Sequence, residues 1–352
     1  MKHTGNNLAD EVLRGDRRAL ARLITGIENG AMSASEALAT LFPRTGRAHL
    51  VGVTGAPGTG KSSLVNQLAL NLRQGGRTVA ICAVDPTSPF SGGAILGDRI
   101  RMRDLAGDPG VFIRSMATRG SLGGLARATA DVVKALDAAG FDVVLIETVG
   151  AGQAEVDIAR HAQTVLVVEA PGMGDDVQAI KAGILEIADL LVVNKSDDPR
   201  AQNTVKALRA MLDLGQPGSD ARRVMHHGRL VEVTAPQEVA PPNRPGWSIP
   251  ILTTNALTGE GIGALVEALD AHRAYLRESG EMVRRERARL VAELENDLRE
   301  ALLARLLDRI DGAELDELVD RIAARELAPR AAVARLIDAA HLPGPPVQVD
   351  ST

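Results

Sequence analysis

The chain has 352 residues, of which 45% are hydrophobic, enough for one large α/β domain with extensions or for two domains. Its net charge is −5, no long basic run is present and aromatic residues are only 2%, which argues against nucleic acid or an anionic membrane surface as a partner. The single cysteine, Cys82, excludes an intrachain disulfide and a Cys-rich metal site, and points to a reducing, cytoplasmic compartment.

The N-terminal stretch has no apolar signal core, and no segment reaches membrane-spanning length without charge. Residues 8 to 45 read as helical. Asp16 is placed to cap a helix whose apolar positions are Leu20, Leu23, Ile24 and Ile27. Ser33 followed by Glu36 has capping-box form ahead of "ALATLF", and Pro43 ends this leader. From 49 to 277 the pattern changes. Short apolar runs alternate with helix-like stretches: "HLVGVTG", "TVAICAVD", "GVFIRSMA", "DVVLIETV", "TVLVVEAP", "LLVVNKSD" and "IPILTTNA". Runs that are apolar on successive residues suit strands buried on both faces of a parallel sheet, and this alternation is the doubly wound α/β signature. Cys82 falls inside one such run and reads as a small core residue.

Residues 214 to 248, rich in Pro, Gly and charge, read as a surface insertion, with His226 and His227 as a solvated loop pair rather than metal ligands. Beyond 280 the chain is helical again. Leu290, Leu294, Leu298, Leu302 and Leu306 recur every four residues, Asp311-Gly312 interrupts, and Leu315, Leu318, Val319 and Ile322 form a second apolar stripe. Pro329 is suited to start a last helix. These stripes lie past the final strand and need another surface, either the parent domain or a second subunit. The expected organisation is an N-terminal helical extension (1–45), a nucleotide-binding domain (46–278) carrying the 214–248 insertion, a C-terminal helical segment (279–342) and a loose tail (343–352).

Three strand ends carry chemistry. "GAPGTGKS" satisfies the phosphate-loop pattern G-x-x-x-x-G-K-[ST] in full, between a strand and a helix. Its residues Gly55, Ala56, Pro57, Gly58, Thr59 and Gly60, with Ser63 after them, are candidates to cradle phosphates; Lys61 is expected to reach the β- and γ-phosphates and Ser62 to offer a hydroxyl to Mg²⁺. "NKSD" places Asn194, Lys195 and Asp197 after a buried strand. A carboxylate there can accept from both the N1–H and the exocyclic amine of guanine, a donor pair that adenine lacks. Asn255, Ala256 and Leu257 follow the next strand and suit a backbone contact to guanine O6. "ETVGAGQ" gives Glu147 as a Mg²⁺-side acid, Gly150 as an N–H donor to the γ-phosphate and Gln153 as the candidate for positioning water. Ala151 stands directly after that glycine, where Ras-like proteins carry a Gln, so slow intrinsic hydrolysis is expected. Asp85 and Asp98, in "VDPTSPFSGGAILGDRIRM", are further candidates to approach Mg²⁺, although Asp98 is also placed to cap a helix.

Together "GAPGTGKSS", "VDPTSPFSGGAILGDRIRM", "ETVGAGQAEVDIA", "VVEAPGMGDDVQAIKAGILEIADLLVVNKSD" and "TTNALTGEGI" resemble the MeaB/ArgK-type GTPases, over residues of about 16 to 310. The resemblance implies a P-loop GTPase fold, GTP/GDP and Mg²⁺ as cofactors, and a chaperone that gates adenosylcobalamin loading into an acyl-CoA mutase and protects it, with methylmalonyl-CoA mutase the default client. It also implies a homodimer joined through the C-terminal helices, an additional switch at 172–178 and a family lysine at Lys181. Asp85, Asp98 and Glu147 match the family's acidic residues around Mg²⁺, and Asp197 its guanine reader. Asn255 departs from the usual Ser; the backbone contact to guanine is expected to survive, since it does not use the side chain. Two other readings remain open at this point: a nickel-insertion GTPase, which would need a Cys- or His-rich site, and a small-molecule kinase or transport-linked NTPase, which "NKSD" disfavours.

Overall fold

Each of the seven apolar runs becomes a strand of one sheet in the computed structural model, which describes residues 4–85, 102–105, 107–117, 122–148, 161–172, 186–214, 225–226, 229–230 and 246–339. The strands are β1 (His49–Thr54), β2 (Val79–Asp85), β3 (Val111–Ala117), β4 (Val143–Thr148), β5 (Thr164–Glu169), β6 (Leu190–Val193) and, after a two-residue ribbon of β7 (Met225–His226) and β8 (Arg229–Leu230), β9 (Ile251–Thr253). Their order is β3-β2-β4-β1-β5-β6-β9, and every pair in this sheet is parallel. The chain thus winds outward to one side of β1 and then crosses to the other. All the strand carboxyl ends lie on one edge, where ligands bind in open α/β sheets.

Both faces of the sheet are covered, as uninterrupted apolar strands require. On one face Val51, Val53, Leu145 and Leu166 pack with Leu64, Leu68 and Leu72 of α4 (Lys61–Gln74) and with Ile262, Leu265 and Leu269 of α7 (Ile262–Glu278). On the other, Leu50, Ala80, Cys82, Val144 and Ile146 meet α5 (Leu122–Ala138) and the N-terminal helices α1 (Thr4–Leu13), α2 (Arg17–Glu28) and α3 (Met32–Leu41). The leader is therefore a layer of the main core. Cys82 is wholly buried there, and burial pushes its thiol up to about 12, so it is protonated and inert. Toward the far edge, α6 (Ala201–Leu214) covers Val165, Val167, Leu191 and Val193.

Asp16 caps α2 as its position predicts, accepting from Arg18 N at 2.8 Å and Ala19 N at 3.1 Å. The capping box at Ser33 does not form. Ala31 occupies the N-cap of α3 without a side-chain bond, and Ser33 lies inside the first turn. The cause is the end of α2. Gly30, at φ +65°, closes a turn in which Ala31 N donates back to Gly26 O at 2.9 Å, so the next helix begins immediately at Met32.

A line of buried polar groups runs along the amino ends of the strands, opposite the carboxyl edge. Thr164 Oγ1 is 2.8 Å from both His49 Nε2 and His272 Nδ1, and His272 Nε2 is 3.3 Å from Asp189 Oδ1. Burial holds the His49 imidazole down at about 3, so the ring is neutral at physiological pH. Asp189 also accepts from Val165 N and from the guanidinium of Arg285.

The chain divides into two compact units, Met1–Arg285 and Glu286–Thr352. The helix α8 (Glu281–Leu307) begins in the first and continues into the second. Within the second unit Asp311 caps α9 (Gly312–Ala323), and α10 starts at Pro329 and ends at Ala339; Leu318 and Ala332 are buried. The Leu stripe of α8 stays open, with Leu294 70% exposed and Leu298 and Leu302 about half exposed. No helix among the described residues is long and apolar enough to cross a membrane.

Candidate functional site

The phosphate-loop motif lies at the carboxyl end of β1. The chain leaves Thr54, turns through Gly55–Gly60 and enters α4 at Lys61. Gly55 must be glycine: its φ is +137°, and a Cβ there would come 2.1 Å from Val168 O of the neighbouring strand. At Gly60, φ +89°, a Cβ would come 2.5 Å from Asn194 Nδ2. The loop is held by side chains from several directions. Lys61 Nζ donates to Gly55 O at 2.7 Å and Ala56 O at 3.0 Å, Lys195 Nζ donates to Gly58 O at 2.9 Å, and Asn194 Nδ2 donates to Thr59 O at 2.9 Å. Thr59 Oγ1 adds a bond to Ala56 O at 3.0 Å. The N-terminus of α4, fourteen residues long, opens directly onto the loop, and a helix N-terminus carries the partial positive charge that favours phosphate. Lys61 and Ser62 are buried, whereas Pro57 and Gly58 are exposed and Ser63 is half-buried.

Beside this loop, the strand register puts Glu147 of β4 level with Val53 of β1. Ser62 Oγ donates to Glu147 Oε1 at 2.6 Å, and both groups are buried. A hydroxyl beside a carboxylate next to a phosphate-type loop is a hard-oxygen donor set, which fits Mg²⁺ in chemistry. Asp85 ends β2 at the same sheet edge, but its side chain lies outside the described atoms. Asp98, Gly150, Ala151, Gln153 and Lys181 lie outside the described residues, as do 173–178 and His227. Among the described residues no group of three or more His, Cys, Asp or Glu side chains is arranged to hold a metal ion by themselves.

Asn194 to Asp197 follow β6, two strands from β1, and Asn255 to Leu257 follow β9 beside it. These two turns form one unit. Ser196 N donates to Thr254 O at 3.0 Å, and Asn194 Oδ1 accepts from Ala256 N at 3.0 Å and Thr254 Oγ1 at 3.3 Å. Asn255 Nδ2 donates to Asp197 Oδ1 at 2.9 Å, and its own Oδ1 accepts from Leu257 N at 2.9 Å and Thr258 N at 3.3 Å. Lys195 turns the chain at φ +58°, and Asp197 and Leu257 are exposed. The structure therefore brings the "GAPGTGKS", Glu147, "NKSD" and "TNAL" segments to one edge. Sequence reasoning missed two roles. Asn194 joins all three loops, tying the phosphate loop to the two turns, and the Asn255 side chain is engaged rather than idle. An amide at each place in "VVNKSD" and "TTNAL" was the available signal.

A phosphate loop after the central strand of an all-parallel sheet, with a second carboxylate-bearing turn two strands away, defines a P-loop NTPase. The model of the family described as "Methylmalonyl Co-A mutase-associated GTPase MeaB" matches residues 20–311, and the chain belongs to that family. It is a GTPase: it binds guanine nucleotide and hydrolyses GTP to GDP and phosphate. It is 47% identical over 290 residues to a Pyrococcus horikoshii protein named as a GTPase, covering 82% of this chain and 84% of that one. It is 31% identical over 316 residues to the "Methylmalonic aciduria type A homolog, mitochondrial" of Caenorhabditis briggsae, covering 86% and 71%. Among solved structures it is similar to a LAO/AO transport system kinase, with a TM-score of 0.67, 25% identity and coverage of 96% of this chain and 98% of that one.

Proposed function

We propose that this GTPase times the loading of adenosylcobalamin into a B12-dependent acyl-CoA mutase, with methylmalonyl-CoA mutase as the first client to test, and protects the cofactor-bearing enzyme. The observation that carries this reading is the family match over residues 20–311, whose description names association with that mutase. Under it, Gly55–Ser63 cradle the phosphates, Lys61 neutralises the β- and γ-phosphates, Asp197 reads guanine N1–H and the 2-amine, and the 255–257 backbone meets O6. Ser62 would hold Mg²⁺ with help from Glu147, Asp85 and Asp98; when bound, the ion neutralises charge on the phosphate oxygens. Gly150 N–H would sense the γ-phosphate and Gln153 would orient the attacking water. The water oxygen bonds to the γ-phosphorus as the bridge to the β-phosphate breaks, and GDP leaves. Loss of that phosphate would end the contact of Gly150 N–H with it, the nucleotide-sensing step by which such GTPases signal.

The exposed Leu stripe of α8 supports a homodimer built through the C-terminal helices. A soluble, cytoplasmic protein without nucleic-acid or membrane partners is the setting this reading requires.

The test is a transfer assay. The protein is mixed with each candidate mutase, and adenosylcobalamin uptake is followed by absorbance with GTP, GDP and a non-hydrolysable GTP analogue. The reading predicts that the nucleotide form changes the extent or rate of loading for one mutase. Identical loading with all three forms, for every mutase, would sink it even if GTP is hydrolysed.

A further inference from the structure

We propose that His49, Thr164, His272 and Asp189 form an acid-sensitive lock: a buried polar chain that ties together the strands bearing the nucleotide loops and loses its hold in mild acid. His49 is the first residue of β1, whose far end opens into the phosphate loop. Thr164 is the first residue of β5, and Asp189 directly precedes β6, whose far end carries the "NKSD" turn. His272 comes from α7. Arg285, near the start of α8, closes the chain on Asp189 at 3.1 and 3.2 Å. Five elements therefore meet in one set of polar contacts, and none of the four members of the lock is more than 1% exposed.

Thr164 sets the rule that the two rings obey. Its Oγ1 lies 2.8 Å from His49 Nε2 and 2.8 Å from His272 Nδ1. A hydroxyl has one hydrogen to donate, so one ring must accept it through an unprotonated nitrogen while the other donates. Two charged rings would both be donors, and the hydroxyl hydrogen would be left buried without a partner. The carboxylate of Asp189 stands at the His272 end, 3.3 Å from Nε2, so His49 is the ring that must stay neutral. The surroundings of His49 act in the same direction. Arg273, Arg277 and the His272 ring on α7 oppose a positive charge there; Asp270 favours one, but that carboxylate is already held by Arg77 at 2.7 and 2.5 Å. On the other side of His272, Trp247 stacks with ring centroids 4.7 Å apart and donates to Asp189 O at 3.0 Å, with the Tyr275 ring 5.3 Å beyond.

The consequence for pH follows from the two states of His49. Unfolded, it gains a proton as pH falls through about 6.5. Folded, burial and then the neighbouring arginines keep it neutral down to about 3. The stabilisation is complete above about pH 6.5 and declines as pH falls from there toward 3. Ordinary carboxylates titrate below about pH 5, so the window above that belongs to the imidazole.

Urea unfolding of the full chain, followed by the fluorescence of its sole tryptophan, Trp247, tests the lock. Between about pH 7.5 and about pH 5 the unfolding equilibrium constant of the natural chain is expected to rise about 30-fold more than that of His49→Gln, the factor contributed by one imidazole held neutral across this range. Glutamine offers Thr164 an amide and takes up no proton. Equal pH dependence in the two chains would overturn the proposal. Thr164→Val keeps the size and removes the hydroxyl, and is expected to raise the unfolding constant about 10-fold or more at neutral pH, because both ring nitrogens lose their partner. An unchanged constant there would mean that the hydroxyl holds nothing together. Should His49→Gln fail to fold, nuclear magnetic resonance of the imidazole nitrogens in the natural chain decides over the same range. His49 is expected to show no titration, and a titration near about 6.5, the ordinary imidazole value, would overturn the lock.

Discussion

Replacing Lys61 with alanine is expected to slow GTP hydrolysis by about 10²- to 10³-fold, the cost of removing one group aimed at charge that develops in the transition state. Lys61 is buried at the first position of α4, and its ammonium sits over the loop carbonyls of Gly55 and Ala56. No other described lysine or arginine bonds to those two carbonyls, and Lys195 holds Gly58 from the exposed side. Alanine is a strong helix former, so α4 persists, while the loop also loses the Lys61 bonds to Gly55 O and Ala56 O. Single-turnover hydrolysis at saturating GTP, with circular dichroism to check the fold, measures it. Unchanged turnover in this variant would contradict the phosphate-site assignment.

Asp197→Asn is expected to change which base is preferred. The carboxylate is placed to accept two hydrogen bonds from guanine; an amide in its place sets a donor against the guanine donors and leaves both unmatched when the base docks. GTP affinity is expected to fall about 100-fold or more, because sites built on such pairing reject the mismatched partner strongly. Xanthine carries a carbonyl where guanine carries the amine, and the new amide donor suits it. XTP is therefore expected to gain on GTP. Competition binding of GTP, XTP and ATP measures the order. A variant that keeps the natural preference for GTP would mean that another residue reads the base.

The strands were legible because their signal is local: "TVLVVEAP" and "DVVLIETV" are apolar on successive residues and too short for helices, and both fall inside the parallel sheet. Asp16 and Pro329 were equally legible, since a cap or a helix start acts within one turn. Ser33 shows the limit of that reasoning. The turn that closes α2 at Gly30 and Ala31 set the start of α3, and no capping pattern downstream could overrule it. The destination of the leader was not legible either. The apolar face of Leu20, Leu23 and Ile24 announces burial, but nothing local states that it is buried in the same core as Cys82 and Val144 on the sheet.

In the site, the phosphate loop reads from its own glycines because their requirement is backbone geometry. Asn194 and Asn255 act through partners far along the chain, on Thr59 and on Asp197, so their side chains look interchangeable until the strands are ordered. The same holds for His49, Thr164 and His272, whose hydrogen bonds cross three elements far apart in the chain.

The central claim is that GTP is a timing signal read by a mutase, and reciprocity gives it a direct test. A mutase that responds to the nucleotide state must alter nucleotide affinity by the same factor. The measurement is the affinity of the full chain for GTP analogue and for GDP, with and without a saturating adenosylcobalamin-dependent mutase. The account predicts a shift of about fivefold or more in the ratio of the two affinities with the client enzyme, the lower end of allosteric coupling. An unchanged ratio with methylmalonyl-CoA mutase and with every related mutase tried would contradict it.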